Sequence, residues 1–221
     1  MKFKIKQTNY TLIIFLIIIL TSFTFTARPL NTDDFPTVAR ESFEFSSCYD
    51  FVDTGQKNLG LTLKYGLTDM FDIGLVLPCP IDSLMTPGAT DILLKHQLGL
   101  PDKFLGNTTL SLTYSNANQE YLLNFIKSWY LGTYNLHLNI GYKNQLQNST
   151  QFIVTSVAGE YTINDYFDVV AEIINFSGIW KSLAGIRYKT AKNLAFDLSY
   201  ITDHTDSAVK PIFTAGLTWT I

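Results

Sequence analysis

The sequence predicts an all-β fold: an antiparallel up-and-down transmembrane β-barrel of about 12 strands, with 10 or 14 as neighbouring counts, behind an N-terminal signal peptide. Three observations predict it. A basic, then apolar leader opens the chain. Apolar residues then recur on alternate positions over nearly all of the remaining length. Polar turns punctuate that alternation at intervals of about ten residues, the length of a membrane-spanning strand.

Met1–Tyr10 carries Lys2, Lys4 and Lys6 and no acid, Leu12–Leu20 is an unbroken apolar run, and Thr21–Ala27 is small and hydroxylated with interspersed phenylalanines. This order reads as a secretory signal peptide, and its apolar core is shorter than the roughly 20 residues of a spanning helix. Cleavage is expected after Ala27, with Thr26 as the alternative site and an uncleaved anchor as the competing reading. The domain division expected is residues 1–27 as signal peptide, 28–40 as a periplasmic lead-in and 41–221 as the barrel.

The chain holds 16 Phe and 12 Tyr, yet only 16 % of its residues are charged. A water-soluble sandwich of this size would carry more Lys and Glu on its outer faces. Loss of the leader removes three lysines and no acid, so the mature chain is more acidic than the formal charge of −3. That argues against nucleic acid as a partner. Neither Cys48 nor Cys79 follows the leader directly, so a lipidated N-terminus is not indicated. In an oxidising compartment the two are candidates for a disulfide, with two unpaired thiols as the alternative.

The repeating unit is clearest at Tyr65–Leu77, where alternation runs to Leu67, breaks at Thr68-Asp69 and resumes at Phe71, Ile73, Leu75 and Leu77. It returns at Tyr161–Ala171 and, more loosely, at Tyr188–Leu198. Arg28–Pro36, with two prolines, is a poor strand. Strand one, at about Glu41–Phe51, sets Phe43, Phe45, Tyr49 and Phe51 against Glu44, Ser46, Cys48 and Asp50. Strand two points Leu59, Leu61, Leu63, Tyr65 and Leu67 outward and Lys64 inward. Strand three carries Asp72 and Gly74 inward. Pro78–Gly88, with three prolines, is expected to be a long loop. Strand four (Thr90–Leu98) places Asp91, Lys95 and Gln97 inward, and strand five (Thr108–Ser115) follows.

Tyr121–Leu131 has a polar residue on either parity, Lys127 on one and Asn124 and Ser128 on the other, which suggests a bulge that swaps register. Strand seven alternates cleanly, with Asn135, His137 and Asn139 inward. Strands eight and nine flank Asn164-Asp165 and place Glu160, Asp168 and Glu172 inward. Asn175–Trp180 reads as a loop. Strand ten ends at Tyr188 with Arg187 inward, opposite Asp197 on strand eleven. The final strand sets Phe213, Ala215, Leu217, Trp219 and Ile221 against Thr214, Gly216, Thr218 and Thr220. Short turns alternate with longer loops, and short turns face the periplasm in outer-membrane barrels.

The lead-in Ala27–Asp34, the Phe43-Glu44-Phe45 start, the Gly66-Leu-Thr-Asp69 hairpin and Leu136–Tyr142 together resemble the bacterial outer-membrane family of meta-pathway phenol-degradation proteins and transporters. The resemblance covers nearly the whole mature chain, and the Arg28-Pro-Leu-Asn-Thr-Asp-Asp34 lead-in is its most specific part. Phe35-Pro36 and the absence of a glycine before strand one depart from the pattern. The resemblance implies a barrel that passes small molecules, aromatic ones included, and it brings no catalytic residues.

The candidate lumen-lining residues are thus Glu44, Lys64, Asp72, Asp91, Lys95, Asn135, His137, Asn139, Glu160, Asp168, Glu172, Arg187 and Asp197. They either set the ion preference of a pore or pair across a narrow lumen and fill it. The Asn135-His137-Asn139 row is a candidate for holding a polar solute or for plain hydrogen bonding. His204, in Asp203-His204-Thr205-Asp206, is a candidate rim hydrolase base, but the second acidic pair that such a site needs to hold water is absent at a defined spacing, and His96 has no assigned role. No metal-ligand spacing, phosphate loop or nucleophile motif is present, so no catalytic residue, metal or cofactor is assigned. The function expected is a passive, porin-like channel with a polar, mixed-charge lumen in the outer membrane of a Gram-negative bacterium. A structural or surface-interaction barrel with a plugged lumen is the alternative, and an outer-membrane hydrolase comes third. The expected partners are outer-membrane lipid, the barrel-assembly machinery through the C-terminal strand, and a small solute.

Overall fold

A strand in hydrocarbon must pair on both edges, because each unsatisfied backbone group costs several kcal/mol there, and only a closed sheet leaves no edge. The structure, a computed structural model, describes residues 32–52, 57–80, 90–99, 107–116, 119–147, 149–205 and 211–221. The leader, and with it the cleavage site, lies outside the described residues. Twelve antiparallel strands form one closed barrel in which each strand pairs with its sequence neighbours and β1 pairs with β12. They are β1 (Phe43–Val52), β2 (Lys57–Thr68), β3 (Phe71–Pro80), β4 (Asp91–Gln97), β5 (Asn107–Ser115), β6 (Glu120–Leu131), β7 (Tyr134–Gln145), β8 (Thr150–Thr162), β9 (Phe167–Phe176), β10 (Ile179–Ala191), β11 (Leu194–Asp203) and β12 (Ile212–Thr220). The closing register runs from Glu44↔Thr220 to Val52↔Ile212. Phe43 and Ile221 exchange both backbone hydrogen bonds at the seam, at 2.8 and 2.7 Å.

Alternation sorts the side chains as the period of two requires. Leu63, Leu75, Phe125, Ile140, Val157 and Leu198 are exposed on the outer wall, while Glu44, Asp72, Lys95, Arg187 and Asp197 are buried within. Aromatic pairs cross strand boundaries near the turn end, among them Phe43–Tyr65, Tyr134–Tyr161 and Phe167–Tyr188, with ring centroids 4.6–4.9 Å apart. Such rings suit the headgroup level, which accepts an apolar body and a polar tip.

Four expectations need correction. β6 holds one register with both neighbours from end to end, and no bulge interrupts it. Lys127 stays on the outer face, where its ammonium donates to Thr108 Oγ1 at 2.9 Å and lies 6.0 Å from the Trp129 ring centroid. A long stem that carries the charge to such partners removes the need for a register swap. Second, β3 continues through Pro80, because β2 pairs with it as far as Asn58↔Pro80 while β4 stops at Val76↔Asp91. Pro78 and Pro80 share one parity, so both missing N–H groups fall on one side of the strand, and beyond Val76 the β4 side makes no ladder demand. Third, β9 and β10 are joined by a tight hairpin at Ser177-Gly178, both at positive φ (53° and 89°), with Phe176 opposite Ile179. Two positive φ values match the twist of the flanking strands. β10 itself runs on to Ala191 through an irregularity after Lys189.

The fourth correction concerns the cysteines. Cys48 is a free thiol, so the candidate disulfide with Cys79 is not formed. Cys48 aligns with Gly60, which aligns with Pro78, whereas Cys79 aligns with Leu59 and Tyr49. The two positions therefore lie on opposite parities with β2 between them, a geometry no disulfide spans. The Cys79 side chain lies outside the described residues.

The outer wall makes a depth-dependent prediction. Ile140→Arg, in the middle of β7, should lower the unfolding free energy in lipid vesicles by about 2–4 kcal/mol, and Leu131→Arg, at the turn end of β6, by about 0–1 kcal/mol. Urea titration of the refolded barrel measures both. Equal losses would show that this face does not meet a graded bilayer.

Candidate functional site

All thirteen candidate lumen residues fall on the inward parity. Glu44 faces Lys64 across the β1–β2 ladder, and their side chains pair at 3.2 Å. Asp72 faces Lys95 in the β3–β4 ladder. Asn135 donates to Glu160 at 3.1 Å, and Arg187 pairs with Glu160 at 3.0 Å and Asp168 at 3.5 Å. Arg187 also lies opposite Asp197 in the β10–β11 register. His137 is buried, its Nδ1 2.8 Å from Ser128 Oγ. Asp91 sits half-buried at the end of the lumen away from the chain termini. His96 is exposed on the outer wall beside the Met70 carbonyl, and His204 is exposed at the far rim, 2.7 Å from Ser182 Oγ.

The described part of the lead-in lies inside the barrel and not in the periplasm: residues 32–42 run from Thr32, beside Glu172, down to the turn end at Glu41 and Ser42, and Thr32, Phe35, Thr37 and Val38 are buried. Glu41 and Ser42 bond to Gly66, where a Cβ would lie 2.0 Å from the Ala39 carbonyl oxygen. Only glycine lets the segment pass so close to β2. Higher up, Val38 N donates to Asp72 Oδ2 (2.8 Å), Gln97 Nε2 to Thr37 Oγ1 (2.8 Å) and Thr109 Oγ1 to the Phe35 carbonyl (2.8 Å). The Lys95 ammonium reaches Asp33 at 2.8 Å and Asp34 at 3.2 Å. Oriented by its partners, the Asn139 amide accepts from Asp33 N at 2.6 Å and donates to the Asp33 carbonyl at 3.0 Å. Thr32 donates both its N–H and its hydroxyl to Glu172 Oε1.

The segment adds donors for buried lumen carboxylates. Asp72 and Glu172 are 2 % exposed, and a carboxylate buried that deeply needs donors. Backbone N–H groups of residues 38 and 32 provide them. Burial would raise the Asp33 carboxyl, but the Lys95 and Lys64 ammonium groups and its hydrogen bonds hold it below its ordinary value.

Two cavities flank this contact. Below it, toward the turn end, a chamber of about 180 Å³ lies beside the segment between Asp34, Pro36 and the β6–β10 wall. Above it, a vestibule of about 420 Å³ spans the lumen from Leu122 on β6 to Ile212 on β12. The vestibule wall is mainly apolar, with Val154, Ile174, Phe176 and Ile201 among its side chains and Lys181 as the charged one. The outer half is apolar along β8–β12, which carry Val154, Ile174, Ile179, Ile201 and Ile212 at inward positions near the far rim, and stays polar and charged on the rest of its wall, as at Glu120 and Lys143.

Several inward groups escaped the sequence reading. Lys189 pairs with Asp168 at 2.7 Å, and Lys143 pairs with Glu120 at 2.5 Å and lies 5.2 Å from the Phe176 ring centroid. Strand parity alone would have found both: Lys189 lies two positions from Arg187, and Lys143 two from Gly141. Ser128, His137 and Glu160 also converge, with His137 Nε2 3.9 Å from Glu160 Oε2. Ser128 is 0 % exposed, so this line of groups braces the wall and offers no nucleophile to a substrate.

Lys95 is the test of the segment's hold. Lys95→Met strips the cation from two carboxylates, and breaking a buried pair on one side costs about 3–5 kcal/mol. The Thr32 and Val38 amides should then exchange with deuterium at least tenfold faster while the strand amides keep their protection. The hold is also pH-dependent. The bound-state value of Asp33 lies below its free value, so its contribution is full above the free value and lost as pH falls through the lowered one. Acidification below the ordinary carboxylate range should therefore loosen the wild-type segment in the same exchange experiment.

No family model matches the chain, and no curated protein sequence matches it. Among solved structures the chain is similar to the KdgM porin (TM-score 0.65, 11 % identity, covering 80 % of this chain and 98 % of that one). It is similar also to the NanC porin (TM-score 0.60, 10 % identity, 80 % and 98 %) and to the outer membrane protein Omp33 of Acinetobacter baumannii (TM-score 0.52, 9 % identity, 84 % and 99 %). At these identities the likeness is one of fold. With its apolar outer wall and closed twelve-stranded sheet, the chain has the fold of the bacterial outer-membrane porins.

Proposed function

We propose that the protein is a passive outer-membrane channel for small molecules, aromatic ones included, narrowed by its own N-terminal segment. One observation carries this reading: among the described residues, the two cavities lie in line and the N-terminal segment crosses the lumen between them. Asn139 lines the vestibule and His137 lines the inner chamber. They are successive inward residues of β7, about 6.8 Å apart along the strand. Between them stands the contact of Asp33 with Asn139. Among the described residues, one noncovalent constriction of hydrogen bonds and ion pairs stands between the two cavities.

The apolar vestibule supports a partly apolar solute, because the ring of an aromatic molecule is favourably removed from water against Val154, Ile174 and Phe176. The family resemblance of the lead-in and the hairpins points to the same solute class. Acidic residues stand at many inward positions, among them Asp72, Asp168, Glu172 and Asp197. Carboxylate-lined pores favour cations. The rival reading, a structural barrel with a plugged lumen, is favoured by the buried fit of Phe35 and Val38 inside the inner half.

Planar-bilayer recording of the mature chain separates the two. A channel should show a small conductance with a cation-directed reversal potential in a salt gradient. Removal of residues 32–40 should raise that conductance several-fold. If both proteins insert and neither conducts, the plugged structural reading replaces the channel.

A further inference from the structure

The vestibule presents one cation to a mainly apolar cavity. Lys181, inward on β10, is the charged side chain of its lining, and no ion pair engages it among the described residues. Asp203 faces Lys181 in the β10–β11 ladder, yet it does not line the cavity, and its Oδ1 accepts from Thr205 N at the rim at 2.8 Å. A second cation of the outer half, Lys143, is paired with Glu120 at 2.5 Å. Asp50 and Asp91 stand inward on β1 and β4, outside the lining. The lining thus carries a positive charge on a side chain whose other ladder neighbour is Ile174.

The remaining groups restrict the occupant further. Asn139 is engaged by Asp33 and Asn124, so the amides of the vestibule floor are already bonded to the protein. That leaves little to hold a polyhydroxylated solute. Val154, Ile174, Phe176 and Ile201 instead offer apolar surface, and Phe152 and Phe176 meet edge to face with ring centroids 4.7 Å apart. Removing a ring from water against such a wall is favourable. An apolar cavity of about 150 Å³ takes one benzene ring. The vestibule, at about 420 Å³, has room for two fused rings and a charged substituent.

We propose that the vestibule binds amphipathic monocarboxylates of one or two aromatic rings, with the carboxylate on the Lys181 ammonium and the ring against Ile174, Phe176 and Ile201. A hydrogen bond between an ammonium and a carboxylate is charge-assisted and stronger than a neutral one. This inference rests on the channel reading above for the path by which the solute leaves, and it names the solute class of that path. The acidic inner half sets the preference among small inorganic ions, whereas the vestibule selects by ring and charge together.

The test uses the full mature barrel in lipid nanodiscs, its isoleucine methyl groups labelled with 13C, and 2-naphthoate as probe. Ile174, Ile179, Ile201 and Ile212 line the vestibule, while Ile140 and Ile153 face lipid and report partition into the bilayer. The expected result is a saturable shift of the vestibule methyls with the two references unmoved. 2-Naphthalenemethanol, the same rings without the charge, should bind at least tenfold more weakly. Acetate, the charge without the rings, should not saturate over the same range. Lys181→Met should bring the naphthoate affinity down to that of the alcohol. The analogues are compared on the wild-type chain, so they decide the point even where the variant fails to fold. Vestibule methyls that stay still, or that move only in step with Ile140 and Ile153, would overturn the site. Equal affinities for naphthoate and the alcohol, or an unaltered Lys181→Met, would overturn its charge selection. Naphthoate binding in a barrel that does not conduct sinks the channel and leaves the site; conductance without binding does the reverse.

Discussion

In hydrocarbon an unpaired N–H or C=O has no water to turn to, and this constraint organises the whole molecule. It forces the last strand back onto the first, and the Glu44↔Thr220 to Val52↔Ile212 ladder is the consequence. Once the sheet closes, every strand has an inside and an outside, and the period of two assigns each residue to one of them. The exposed Leu, Ile and Phe side chains of the wall and the buried Glu, Asp, Lys and Arg of the lumen are two outcomes of a single closure.

Closure also creates a second problem. A lumen lined by twelve strands collects more carboxylates than the strands supply with cations, and each must find donors in a space largely cut off from bulk water. Glu44, Glu160 and Asp168 find theirs on neighbouring strands. Asp72 and Glu172 accept from the backbone N–H of Val38 and Thr32, and Lys95 in turn is held by Asp33 and Asp34. The N-terminal segment is therefore part of the polar network of the lumen and, at the same height, its constriction. Its apolar anchors are few, Phe35 and Val38 foremost, so electrostatic and hydrogen-bond terms dominate its hold.

The lumen divides accordingly. Where the segment runs, inward positions are charged and paired. Beyond the contact of Thr32 with Glu172, the wall along β8–β12 is apolar and lines the vestibule. On the proposed path, the apolar surface of the vestibule precedes the polar contact of the segment when the lumen is followed from the far rim.

Alternation is a local property, and the sequence by itself determined what depends on it: the barrel, its twelve strands, the outer wall and the inward parity of residues such as Lys64, Asp72 and Arg187. It even placed Arg187 opposite Asp197, because a short turn sets hairpin register. Local rules misjudged Pro78–Pro80, where tolerance depends on how far β4 extends, and Tyr121–Leu131, where the reach of Lys127 to Thr108 decided the register. The path of the lead-in, the division of the lumen and the separation of Cys48 from Cys79 were decided by the tertiary structure alone. Thr32 meets Glu172 across 140 residues of chain, and no pattern along the sequence encodes that contact; it exists because a closed sheet brings every inward side chain to one axis.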